Sequence, residues 1–127
     1  VIEKPWSLQH ELSLIHQFDV GVMPLPDSQW ARGKCAYKLI QCMACAIPVI
    51  ASPVGANVNV VPPSCGLLPS TSSEWLSAFR QLAANPDLRN RLGTAGRKWV
   101  EQHYSLRTVL PVLSAVIRHA SAADSKS

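Results

Sequence analysis

The chain has 127 residues, 47% of them hydrophobic and 16% charged, which supplies enough apolar material for one domain with a buried core. Twelve Lys and Arg against eight Asp and Glu give a formal net charge of +4, a mild excess that suits a small anionic partner. The basic residues are dispersed and no Lys/Arg block tracks a nucleic-acid backbone, so no nucleic-acid partner is expected; no apolar run reaches the length of a membrane span.

In chain order, Val1–Lys4 reads as a strand, and Ser7 as the cap of a helix with Leu8, Leu12 and Ile15 on one face. Val20–Leu25 reads as a buried strand, and residues 26–33 as a loop. Ala36, Leu39, Ile40 and Met43 recur at helical spacing, which predicts a helix from about Lys34 to Cys45. Residues 48–51 form the next strand and 52–57 a turn-rich loop, with short apolar pieces at 58–61 and 66–68. Three helices close the chain: one capped by Ser72 or Ser73, one opened by Asn85-Pro86, and one after Ser105, with a frayed polar tail over 121–127. The domain proper is thus expected over residues 1–120.

Strands alternating with helices predict a Rossmann-like parallel sheet covered by helices on both faces. Right-handed crossovers place the strand C-terminal ends on one edge, where such sheets bind ligands, and loops 4–7, 26–33 and 52–57 fall there. The four cysteines form no paired C-x-x-C set and read as buried free thiols. His10, His16, His103 and His119 show no ligand spacing, so no metal is expected.

If the helix opens near Lys34, its free N–H groups and positive dipole end make an anion site facing that edge. Lys34, Lys38, Gln41 and Cys45 then lie on a stripe opposite the core face, two ammonium groups and an amide that suit a diphosphate and a ribose. A solvated helix face is the alternative reading of the same stripe.

The segment Gln41-Cys42-Met43-Ala44-Cys45-Ala46-Ile47-Pro48-Val49-Ile50-Ala51 resembles the E-A-M-A-C-G-x-P-V-I-A segment of family 4 (group 1) glycosyltransferases of the GT-B fold. Phe18–Leu25, Val54-Gly55, Asn85–Arg89 with Gly93–Arg97, and Trp99–Ser105 are similar to further parts of that family, so the likeness covers nearly the whole chain. Lys34–Ala46 is more similar still to a branch with a K-C-G-Y-K-L-x-Q-Y-M-A-C-G segment.

The resemblance implies a truncated C-terminal half of a GT-B fold: the donor-binding portion of a retaining transferase that moves a sugar from a nucleotide diphosphate donor to an acceptor hydroxyl, with no cofactor. Its E-x7-E motif falls on Gly33 and Gln41. Gln41 can still meet a ribose, whereas Gly33 has no side chain to meet the donor sugar. By position, backbone N–H groups near Tyr37 and Lys38 would meet the phosphates, and the base would lie near Pro5 and Trp6, with Trp6 read either as a stacking wall or as a core residue; Arg32, in the loop at the ligand edge, reads either as a phosphate contact or as a surface arginine. The family's diphosphate-binding Arg/Lys pair and its N-terminal acceptor domain would lie ahead of Val1, so the chain alone is expected to be inactive. Partners implied are a nucleotide sugar, the N-terminal acceptor domain and, through the last helix, a second copy of the chain. The expected location is the cytoplasm, with the inner face of the membrane open to the full-length protein as a peripheral site. The rival reading is a non-catalytic interaction domain with a degenerate donor site.

Overall fold

A computed structural model describes Glu3, Pro5, Ser7 and residues 9–124. The strand expected at Val1–Lys4 lies, apart from Glu3, outside the described residues, as do Leu8 and Trp6. The elements run α1 (Glu11–Ile15), β1 (Gly21–Met23), α2 (Gln29–Arg32), α3 (Tyr37–Ala44), β2 (Val49–Ala51), α4 (Asn57–Val60), β3 (Gly66–Leu67), α5 (Ser72–Ala84), α6 (Pro86–His103) and α7 (Leu106–Asp124).

The three strands form one parallel sheet in the order β1-β2-β3, with Gly21, Val22 and Met23 opposite Val49, Ile50 and Ala51, and Val49 and Ile50 opposite Gly66 and Leu67. Every residue of β2 is fully buried because both faces of the central strand are covered. Side chains alternate across a strand. Val49 and Ala51 accordingly enter a core with Leu39, Cys42 and Met43 of α3, Val60 of α4 and Val100 of α6, and Ile50 enters a second one with Ala78 and Leu82 of α5 and Leu92 of α6. The sheet is therefore an α/β sandwich layer, as the alternation of elements predicts.

β1 is an edge strand among the described residues, and Val22 remains 46% exposed although Val20–Leu25 is continuously apolar. Gly21 faces α3 so closely that a Cβ there would lie 2.7 Å from Cys42 Sγ, which lets helix and strand approach each other.

The helix starts differ in detail from the sequence expectation. α1 begins at Glu11, with Ser7 hydrogen-bonded to the His10 ring instead of capping the helix, and Leu12 points outward. α5 is capped by Thr71 rather than Ser72 or Ser73: Thr71 Oγ1 accepts from the Glu74 N–H while the Glu74 carboxylate accepts from the Thr71 N–H, a reciprocal capping box. Asn85 caps α6 as expected, its side chain accepting from Leu88 N–H with Pro86 at the first helical position. Arg89 donates to the carbonyls of Leu82 and Ala83, which covers the open C-terminal end of α5. α7 continues through Asp124, so residues 121–124, assigned to a tail from sequence, are helical.

Among the described residues no helix is long and apolar enough to cross a membrane.

Candidate functional site

The sequence places the site between residues 32 and 41, and that stretch is built from two short helices and a sharp turn. Ser28 caps α2 by accepting from Ala31 N–H at 3.2 Å. Gly33 closes α2 with φ −79°, an ordinary right-handed value, and a Cβ there would meet nothing nearer than the Trp30 carbonyl at 3.5 Å. Neither conformation nor space requires a glycine at that position.

Ala36 then turns the chain through the left-handed region at φ 57°, and α3 starts only at Tyr37. This corrects the expected helix from Lys34. Lys34 lies before the turn, off the helix, and the four-residue stripe of Lys34, Lys38, Gln41 and Cys45 is reduced to Lys38 and Gln41, with Cys45 as the helix cap. Lys34 Nζ sits 4.1 Å from the centroid of the Trp30 ring, a cation–π contact on an exposed surface.

Delaying the helix start changes which amides open it. Ala36 has no side chain that can cap, so the first amides of α3, those of Tyr37 and Lys38, have no intrahelical acceptor. Both side chains are exposed, and Gln41 one turn on is partly exposed. Lys38 also borders a recess of about 190 Å³ beside β1, lined with Phe18, Val22 and Cys42. Amide donors at the start of α3, and Lys38 and Gln41 within its first five residues, therefore belong to one helix.

Arg32 is held elsewhere. Its Nε and Nη2 donate to the two carboxylate oxygens of Asp27 at 2.7 and 3.0 Å, and these hydrogen bonds hold the Asp27 carboxyl below the usual carboxylate range. Asp27 in turn lines a cavity of about 310 Å³ at the C-terminal ends of the strands. Sequence reasoning missed Asp27: its partner is five residues away across a helix cap, a spacing that announces no pair.

Cys42 and Cys65 are buried and Cys45 is partly so, whereas Cys35 is exposed, a correction to the expectation of uniformly buried thiols. Burial pushes the Cys42 thiol up, with the neighbouring Cys45 adding to the rise and Lys38 opposing it. Both thiols of the last α3 turn are thereby kept neutral, since burial raises Cys45 as well. Among the described residues no three His, Cys, Asp or Glu side chains form a cluster able to hold a metal ion. Trp75 packs against Phe79, and Trp99 stacks on His103 at 3.6 Å between centroids, both in packing roles.

No protein-family model and no curated protein matches the sequence. A solved structure of sucrose-phosphate synthase from Thermosynechococcus elongatus does match, with a TM-score of 0.66 and 29% sequence identity over 83% of this chain. The matched region is 26% of that protein, so the chain spans about a quarter of its length. The chain thus has the small parallel α/β fold of part of a glycosyltransferase.

Proposed function

We propose that this chain is the donor-binding portion of a retaining glycosyltransferase, which moves a sugar from a nucleotide diphosphate donor to an acceptor hydroxyl. The observation that carries the reading is the uncapped start of α3, where the amides of Tyr37 and Lys38 open a helix that also carries the exposed Lys38 side chain, in a fold shared with sucrose-phosphate synthase. Breaking the donor's glycosidic bond builds negative charge on the leaving diphosphate. Fixed N–H dipoles and an ammonium group stabilise that charge electrostatically, and need no metal to do so. Gln41 supplies a carboxamide for the ribose hydroxyls. Gly33 contributes no side chain, so sugar recognition falls to other groups.

The acceptor-binding domain implied by the resemblance is outside this chain, and the chain alone is expected to show no acceptor-dependent nucleotide release. Titration of the 15N-labelled chain with UDP, GDP and ADP tests the reading directly. Saturable amide shifts concentrated between Gly33 and Gln41 support it. Their absence with all three nucleotides would favour the rival, a non-catalytic interaction domain, for which Gly33 is the specific support.

A further inference from the structure

Asp19 and Val20 lead into β1, so the cavity of about 340 Å³ that they line lies at the N-terminal edge of the sheet, whereas α3 starts beyond the C-terminal end of that strand. Its other walls are Phe79, Leu82 and Ala83 from the last turns of α5 and Arg89 from the start of α6. A cavity of this volume is large enough for a small metabolite. We infer that it is a binding site for a free α-amino acid with an apolar side chain, whose carboxylate meets Arg89 and whose ammonium group meets Asp19.

The two charges on its walls select that class. Arg89 is half-buried, and its Nη1 donates to the carbonyls of Leu82 and Ala83, which fixes the guanidinium on the end of α5. A guanidinium has five N–H donors, and those on Nε and Nη2 of Arg89 have no acceptor among the described residues. That same edge is the fork with which Arg32 grips both carboxylate oxygens of Asp27, and a ligand carboxylate fits it in the same way. The ion pairs among the described residues are Arg32 with Asp27 and Arg97 with Glu101, so Asp19 and Arg89 share the cavity without pairing. A molecule that carries both charges satisfies both groups. A phosphate would meet the Asp19 carboxylate and a simple amine the Arg89 guanidinium, each a like charge on the cavity's own wall.

The remaining walls set the ligand's third group. Val20 and Leu82 belong to the core that Ile50 enters, and Phe79 stands beside them 43% exposed, its ring tilted against Trp75 at 5.8 Å between centroids. A hydrocarbon side chain laid on Phe79 removes apolar surface of both from water. The walls are also held in place: Asn85 alone separates α5 from α6, and the hydrogen bonds of Arg89 to Leu82 and Ala83 tie the two helix ends together. Binding here is independent of the donor reading proposed above.

The test is titration of the 15N-labelled chain with leucine, with its single-charge analogues 4-methylpentanoate and 3-methylbutylamine, and with glycine, which keeps both charges and lacks the side chain. Saturable shifts are expected with leucine at the amides of Val20, Ala83 and Arg89. Each analogue should bind about tenfold more weakly, the effect of losing one charged hydrogen-bonding group, and glycine should also bind more weakly than leucine. D19N should weaken leucine binding about tenfold and leave 4-methylpentanoate binding unchanged, a split that a merely structural role of Asp19 would not give. Asp19 is exposed, so an otherwise unchanged spectrum confirms that D19N folds. No shifts with leucine, an analogue or glycine that binds as tightly as leucine, or wild-type leucine affinity in D19N would overturn the inference. The nucleotide titration is read at different amides, those of 33–41, so the two readings are separable.

Discussion

Gly93 of α6 stands against the backbone of Ala46: a methyl group added at Gly93 would overlap the Ala46 carbonyl oxygen and lie 2.8 Å from its carbon. Ala46 joins α3 to β2, so this contact clamps the N-terminal end of the sheet, opposite the strand C-terminal ends. Backbone cannot rotate away as a side chain can. G93A is expected to destabilise the chain by about 3 kcal/mol, the upper range for overpacking, measured as a lowered urea midpoint. G96A is the contrast, since its Cβ would meet only the flexible Met43 side chain at 3.3 Å, and it should cost less than about 1 kcal/mol. Equal effects would show that the clamp is not rigid.

Ala36 and Ala46 are the non-glycine residues with positive φ among those described, 57° and 58°, and both stand where the resembling transferase segments carry Gly. The left-handed conformation costs an alanine about 1–2 kcal/mol, against which glycine brings roughly 0.5–1 kcal/mol of extra unfolded-chain entropy. A46G is therefore expected to stabilise the chain by about 0.5–1 kcal/mol. At Ala36 the methyl group is buried in the core of α3, and its loss cancels the gain at about 0.8 kcal/mol, so A36G should be near neutral. G33A supplies the reverse case: with φ −79° and room for a Cβ, it should stabilise by about 0.5 kcal/mol. Thermal midpoints of the three variants check the order A46G, G33A, A36G against wild type, and a destabilised A46G would refute the strain argument.

The thiols provide a pH readout. In the native chain at pH 8, a colorimetric thiol reagent should label Cys35 first and Cys45 more slowly, with Cys42 and Cys65 labelled only on unfolding. Cys42 has its pKa raised from the ordinary thiol value of 9.0, so the folded state holds the proton more tightly than the unfolded state. The contribution is intact below pH 9 and is lost as pH rises above it. C42A should flatten the alkaline decline in the urea midpoint. An unchanged decline would place its origin in another group.

α7 leaves Leu106, Val109, Leu110, Val112, Leu113, Val116 and Ile117 each at least 41% exposed, on a helix whose main packing partner is α6. Such a face is expected to drive association of two copies at high concentration. Sedimentation velocity should show a concentration-dependent dimer in the wild type and a monomer in L113D. A wild type that stays monomeric at millimolar concentration would refute this.

The parallel α/β architecture was legible because β2 is a continuous apolar run, buried on both faces, and α3 carries a helical period whose Leu39 and Met43 are buried. The branch of the molecule between β1 and α3 was less so. Ser28 and Gly33 bracket a four-residue helix too short to show a period, and the break at Ala36 is invisible because alanine is an ordinary helix former that here adopts a left-handed turn. Ser72 and Ser73 compete with Thr71 as the cap of α5 until Glu74 is read as the third residue of a capping box, which selects Thr71. At the candidate site, Lys38 and Gln41 could be placed on one helix from spacing alone. Asp27, Ser52 and Ser70, which line the cavity at the strand ends, could not be grouped, because three separate loops bring them together only after the sheet has formed.

α6 spans 18 residues, about 27 Å, and is shared by both cores: Leu92 packs with Ile50 and α5, Val100 with Val49 and α3. The two faces of the sheet consequently have no independent way to melt. Amides of β2, α3 and α6 should exchange with deuterium through one common opening event, at the free energy of global unfolding, while those of α7 exchange through its own fraying at far lower cost.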